Sequence, residues 1–278
     1  MINRFDRRQF LRQFALGVTS AVVLASCAST PDAPDTAATD GAEDGAVETL
    51  VVATEPAFPP FEFQAEDGSY DGFDIDLMNA IAAAAGFEVE YESLPFDGII
   101  PALQAGTVDA AISAMTITEE RLGTVDFSSP YFKAGLAIAV KEDDTEITSL
   151  DSLQGKTIAV QIGTTGAEMA NSVEGASVST FDSGPLALQE LANGNADAVI
   201  NDAPATLDAI ASGNIEGLTI IGELLTEEFY GIATPQGADS LALINDGLAA
   251  IIADGTYADI YTKWFGADAP ELPSEVTF

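Results

Sequence analysis

The sequence contains no histidine, which removes Ser-His-Asp and Cys-His catalysis and any histidine-ligated metal. Its one cysteine is Cys27, so the chain has no disulfide framework and its folded body no thiolate nucleophile. Positive charge is also scarce: nine lysines and arginines stand against 45 acids, a net charge of −36 over 278 residues. A surface of that sign repels phosphate backbones and anionic lipid headgroups, so nucleic acid is not an expected partner. The same surface suits saline surroundings, where screening weakens self-repulsion. Long apolar runs are missing from the body as well. The stretch 241-LALINDGLAAIIADG-255 is interrupted by Asn245, Asp246 and Asp254. What is present is 47% apolar residues, enough for one large domain or two small lobes. No metal or cofactor motif is found, and none is expected.

The N terminus reads as an export signal. A basic start, 4-RFDRRQFLRQF-14, leads into the short apolar run 14-FALGVTSAVVLAS-26 and then Cys27. Arg7-Arg8 followed by Phe10-Leu11 resembles a twin-arginine signal, with Asp6 in place of the usual Ser or Thr. The segment 24-LASC-27 resembles a bacterial lipobox, in which Cys27 becomes the lipidated first residue. An uncleaved anchor is the alternative, but it leaves the lone cysteine without a use. Residues 27–48 are rich in Ala, Thr, Asp, Pro and Gly and form an expected disordered tether. Removing residues 1–26, with their four arginines and one aspartate, brings the net charge to −39 and leaves Arg121 as the only arginine.

Guanidinium has a planar fork that holds a carboxylate through two parallel hydrogen bonds. Arg121 is therefore a candidate grip for a ligand carboxylate, with a salt bridge to one of the many acids as the alternative.

Strands alternate with helices along the body: strand 49-TLVVAT-54, a helix over 75–85 closed by Gly86, then strand 87-FEVEYES-93. This predicts an α/β architecture with mostly parallel sheets. One pattern occurs twice. Leu103-x-x-Gly106-x-x-Asp109-Ala110-x-Ile112 returns as Leu191-x-x-Gly194-x-x-Asp197-Ala198-x-Ile200, each copy preceded by a similar helix. Agreement of spacing and context predicts two similar lobes. Ligands of open α/β sheets sit beyond the strands' carboxyl ends. Past the first copy lie Ser113, Ala114, Met115 and Thr116, with Arg121 shortly beyond; past the second lie Asn201 and Asp202. A cation on one rim and an anion on the other fit the two charges of a free α-amino acid. A third contributor is Gly163-Thr164-Thr165-Gly166 after the strand at 156–161, where a helix start offers N–H groups to an anion; a plain capped helix is the alternative there.

With these segments placed, the chain resembles a bacterial extracellular solute-binding protein of the polar amino-acid type (family 3), the group that serves ABC importers. The resemblance spans about residues 49 to 267. It rests on 53-ATEPAFPPFEF-63, 70-YDGFDIDLMNAIA-82, 96-FDGIIPALQAGTVDAAISAMTITEERLGTVDFSSPYF-132, 161-QIGTT-165, 197-DAVINDAP-204 and 255-GTYADIYTKWFG-266. It implies a two-lobed, type II periplasmic-binding-protein-like clamp with crossings near 130–135 and 226–232. Lobe one is then 49–131 plus 231–270, lobe two is 135–227, and 271–278 is a tail.

The resemblance also implies roles. Arg121 holds the substrate α-carboxylate, helped by backbone N–H groups at Thr116 and Thr165. Asp202 takes the α-ammonium with the Ala114 carbonyl and the Thr116 hydroxyl. Phe58 and Phe96 wall the aliphatic part. The side-chain pocket departs from a glutamine binder: Gln161 replaces a lysine, Asn201 replaces a histidine, and Ala114 stands where glycine is usual. Glu55 with Gln161 and the Thr164-Thr165 turn looks more like arginine-binding relatives, so glutamine and a basic amino acid both stay open. The implied protein is a monomeric, extracytoplasmic lipoprotein that delivers its ligand to a permease and does no chemistry on it. Two rivals share the fold: a cyclohexadienyl or arogenate dehydratase, for which Glu55 is the candidate acid, and an amino-acid sensor subunit. Replacing Cys27 by alanine is expected to move the protein from the membrane fraction to the soluble fraction, scored by immunoblot; unchanged membrane attachment contradicts the lipid anchor.

Overall fold

The structure is a computed structural model that describes residues 47–278. The expected signal peptide, Cys27 and most of the tether lie outside the described residues. The chain begins with β1 (Thr49–Thr54), then the short strands β2 (Ala57–Phe58), β3 (Glu62–Gln64) and β4 (Tyr70–Asp71). Next come α1 (Phe73–Ala85), β5 (Glu88–Ser93), α2 (Phe96–Ala105), β6 (Ala110–Ala111), α3 (Glu119–Leu122) and β7 (Val125–Phe127). Strand β8 (Phe132–Ala134) crosses to the second lobe. That lobe holds β9 (Leu136–Lys141), β10 (Thr157–Gln161), α4 (Thr165–Ser172), β11 (Ser177–Phe181), α5 (Gly184–Asn193), β12 (Ala198–Asp202), α6 (Ala203–Ala211) and β13 (Leu218–Ile221). Strand β14 (Glu228–Tyr230) returns to the first lobe, which β15 (Ala233–Pro235), α7 (Ser240–Asp254) and α8 (Thr256–Phe265) complete.

Each lobe is built on a five-stranded sheet, in the orders β5-β1-β6-β15-β7 and β11-β10-β12-β9-β13. The first three strands of each order pair in parallel, as βαβ units require. The remaining pairings are antiparallel, so the sheets are mixed rather than mostly parallel. The cause is the crossing. Strands β9 and β15 are the first strands after the chain changes lobe, and they enter against the direction of the strands already there.

The repeated sequence pattern has a structural counterpart in every part. Gly106 and Gly194 close α2 and α5 in the left-handed conformation, at φ 66° and 82°, which glycine adopts without steric cost. Asp109 then accepts a hydrogen bond from the Val51 N–H at 2.8 Å, and Asp197 accepts one from the Thr157 N–H at 2.7 Å. These carboxylates tie the start of the central strand to the turn that feeds its neighbour. Val52 pairs with Ala110 and Ile158 with Ala198 in the same parallel register.

Lobe one closes its core by packing α1 against α7 and α8 around Leu77, Met78, Ile81, Ile244 and Leu248, all buried. Burying side chains of this size stabilises by roughly 1.5–3 kcal/mol each. The crossing strands β8 and β14 pair with each other, Phe132 opposite Tyr230. Their rings stack at 5.5 Å, and Phe61 of lobe one meets Phe132 edge-on at 4.9 Å. The crossing ribbon is therefore anchored in the lobe-one core. Replacing Asp109 or Asp197 by alanine is expected to lower unfolding free energy by a similar amount, about 0.5–1.5 kcal/mol each; urea unfolding in which only one variant is weakened contradicts their equivalence.

Candidate functional site

The carboxyl ends of β1, β6, β10 and β12 face one another across the cleft between the lobes. The resulting cavity is small, about 20 Å³, and is lined by Glu55, Phe58, Glu62, Phe96, Ser113, Ala114, Thr116, Arg121, Gln161, Thr165 and Asp202. Thr164 and Asn201 are set back from it. Thr164 caps α4, its hydroxyl accepting from the Ala167 N–H and donating to the Gln161 carbonyl. Asn201 is buried with its amide donating to Thr206 at 3.1 Å, and it faces a separate apolar groove between Phe58 and α5.

Arg121 is buried, and its partners are carbonyls. Nη1 donates to the Thr116 oxygen at 2.7 Å and Nη2 to the Gly163 oxygen of the other lobe at 2.9 Å. The ring of Phe96 lies 5.4 Å beneath the guanidinium carbon. Among the described residues the ion pairs involve only lysines, so no carboxylate neutralises this guanidinium directly. Burial lowers its pKa, while Glu168, Glu228, Asp202 and Glu120 pull it back up. Gly163 has φ 77°, and a Cβ there would meet the Asp97 Cβ at 3.1 Å. Glycine is what lets lobe two approach this close.

Asp202 is also buried; its Oδ1 makes no well-aligned hydrogen bond, although the Tyr230 hydroxyl lies close enough to act on the carboxyl. Burial pushes its pKa up to about 7, helped by Glu228 and opposed by the Tyr230 hydroxyl and Arg121. Ionising a buried carboxyl with so few donors is costly, and a cation placed beside it would hold it ionised.

At the far end, Glu55 and Gln161 meet. Each stands three residues past the matched pairing positions Val52 and Ile158, so the two lobes present equivalent positions to each other. The Gln161 amide donates to Glu55 at 2.6 Å and to the Asp182 carbonyl at 3.3 Å. Glu55 is raised to about 7, chiefly by burial; Gln161 opposes this, and Asp97 and Asp182 add to it.

Three contributors went unassigned in the sequence. Glu62 and Asp74 form a buried acid pair under the cavity floor. Glu62 accepts from the Ser113 hydroxyl at 2.9 Å, and Ser113 in turn accepts from the Glu55 N–H at 3.0 Å. Asp74 accepts from the Ala114 N–H and the Tyr131 hydroxyl, both at 2.8 Å. Those donors favour charge on Asp74, so Glu62, buried beside it, is the member pushed well up. Ala114 sits at φ 45°, the left-handed region that disfavours a Cβ, and the Asp74 bond holds it there. Glu228, from crossing strand β14, is the third. Glu62 lay within a stretch singled out for its aromatics, and no local spacing ties Glu228 to Thr116.

Comparison with known proteins identifies the family and the fold. The L-cystine-binding protein of Escherichia coli K12 is 35% identical over 223 residues, 79% of this chain and 84% of its own length. An ancestral arginine-binding protein bound to arginine superposes with a TM-score of 0.76 at 47% identity, covering 78% of this chain and 98% of that one. The arginine-, lysine-, histidine-binding protein of Geobacillus stearothermophilus gives a TM-score of 0.76 at 37% identity, covering 80% and 97%. The model of bacterial extracellular solute-binding proteins, family 3, matches residues 50–267, and the chain belongs to that family.

Proposed function

We propose that the protein is the extracytoplasmic capture component of an ABC importer and that its ligand is a basic L-amino acid, arginine foremost. In this reading Arg121 holds the α-carboxylate, with N–H groups at Thr116 and Thr165 beside it, and Asp202 takes the α-ammonium. Phe58 and Phe96 sandwich the methylene chain. The observation that carries the choice of ligand is at the far end: Glu55, bonded to Gln161, feels the charges of Asp97 and Asp182, and among the described residues no cation pairs with it. A ligand guanidinium or ammonium supplies the missing charge. Glutamine supplies only an amide, and the far end of cystine is a second carboxylate and ammonium with no net charge to offset the acids. The relatives whose names specify arginine support the same reading.

Capture works by closure. Arg121 bonding to Gly163, and Glu55 to Gln161, already span the two lobes. A ligand that touches both rims binds the closed form better and shifts the population toward it. The permease then reads closure as occupancy. The reading includes export, lipidation at Cys27 and a tether over residues 27–48, so that a monomeric body works close to its membrane partner. Among the described residues no helix is long and apolar enough to cross a membrane.

Glu55 and Asp202 both bind a proton more tightly folded than unfolded. Folding stability in the absence of ligand is therefore expected to fall as pH rises from the ordinary carboxylate range toward 7. Arginine affinity should do the reverse and rise over the same interval, because ionised Glu55 is the form that pairs with a cation. Calorimetric titration of the protein with arginine, lysine, glutamine and cystine is expected to rank the basic ligands first. Glu55→Gln should cost arginine about tenfold or more, reduce its pH dependence to the part it shares with glutamine through Asp202, and leave glutamine affinity nearly unchanged; equal losses for arginine and glutamine contradict the assignment.

A further inference from the structure

Glu228 belongs to a crossing strand rather than to either lobe, yet it is buried and touches both. Its Oε2 accepts the Thr116 hydroxyl of lobe one at 2.7 Å and the Thr165 hydroxyl of lobe two at 3.0 Å. Its Oε1 accepts the Thr226 hydroxyl of the crossing itself at 3.1 Å. Thr116 and Thr165 both line the ligand cavity, whereas Glu228 lies behind them, on the side of a groove it shares with Thr226 and Phe229. An ionised carboxylate only accepts hydrogen bonds, and a hydroxyl has one proton to give. Both threonine protons are therefore committed to Glu228, away from the cavity. What the two hydroxyls can offer inward is lone pairs.

We infer that Glu228 is a positioning residue that fixes the Thr116 hydroxyl as an acceptor and so turns the cavity beside Asp202 into a seat for the ligand's α-ammonium. This rests on the amino-acid reading above and adds the residue that sets the polarity of the seat. An ammonium is donor-only and matches two acceptors that line the cavity, the Thr116 hydroxyl and the Asp202 carboxyl. Because the same oxygen holds Thr165, the hydroxyl geometry is completed only when the lobes are together. The seat is thus linked to closure.

The test is a double-mutant cycle on L-arginine affinity, with Glu228→Gln, Thr116→Val and the pair together. A glutamine amide donates as well as accepts, so it releases the hydroxyl's orientation without emptying the space. Each single variant is expected to weaken arginine about tenfold or more, since a hydrogen bond to a charged group is at stake. The double variant should be hardly weaker than Thr116→Val alone, because Glu228 then has no hydroxyl there to orient. Losses that simply multiply would mean that Glu228 supports the hinge independently, and the inference is overturned. Thermal melting shows which variants are folded. Should Glu228→Gln not fold, Thr116→Ser is compared with Thr116→Val: serine is expected to bind arginine like the original protein, and equal losses overturn the inference. Failure of the unaltered protein to bind any amino acid is a separate result, and it removes the parent reading rather than the role of Glu228 within it.

Discussion

A buried guanidinium without a carboxylate partner organises this molecule. Arg121 has only two carbonyls and an aromatic face around it, and one of those carbonyls belongs to the opposite lobe. Taking such a charge out of water is expensive unless something of opposite sign completes it. The chain surrounds it with acids at a distance, Glu228 and Asp202 among them, without neutralising it by contact. A ligand carboxylate is what fits against the fork. In the proposed pose the rest of the site follows in sequence: an ammonium one carbon away faces Asp202, and a side chain between two phenylalanines points to Glu55.

Both lobes deliver these groups by the same device. A parallel strand ends, and the next residues turn over the cleft. Since the two sheets share one topology, the device is used twice with different chemistry at matched positions: Glu55 opposes Gln161, and the Ala114 turn opposes Asp202. The crossing strands are fixed in the aromatic core of lobe one through Phe61, Phe132 and Tyr230, so lobe two is the part free to swing. In the proposed capture, closure brings Gly163, Gln161, Thr165 and Asp202 up to Arg121 and Glu55, as the contacts across the lobes suggest. The close packing of Gly163 on Asp97 sets the limit of that movement.

Much of this was legible in the sequence, for physical reasons that can be named. The repeated Leu-Gly-Asp-Ala-Ile spacing was readable because a helix cap, a strand-tying carboxylate and a buried strand each demand one residue type at one offset. Arg121 stood out because it was the last arginine left. Ala114 is named from the resemblance for its carbonyl and for standing where glycine is usual, but its φ of 45° is invisible until the chain is folded. Thr164 and Asn201 were placed in the pocket on adjacency, but one turned out to cap α4 and the other to bond Thr206. The antiparallel halves of the sheets were missed because they come from the chain changing lobes, which no local pattern records. Glu228 was missed for the same reason: its partners lie 112 and 63 residues away.

The most direct test is a crystal structure of the protein grown with L-arginine. Opposite charges contributed by the two lobes are predicted to bracket one ligand. Its carboxylate should lie on Arg121, its ammonium on Asp202 and Thr116, and its guanidinium between Glu55 and Gln161. Arginine bound elsewhere, or lying in the cleft with its carboxylate turned away from Arg121, contradicts the account.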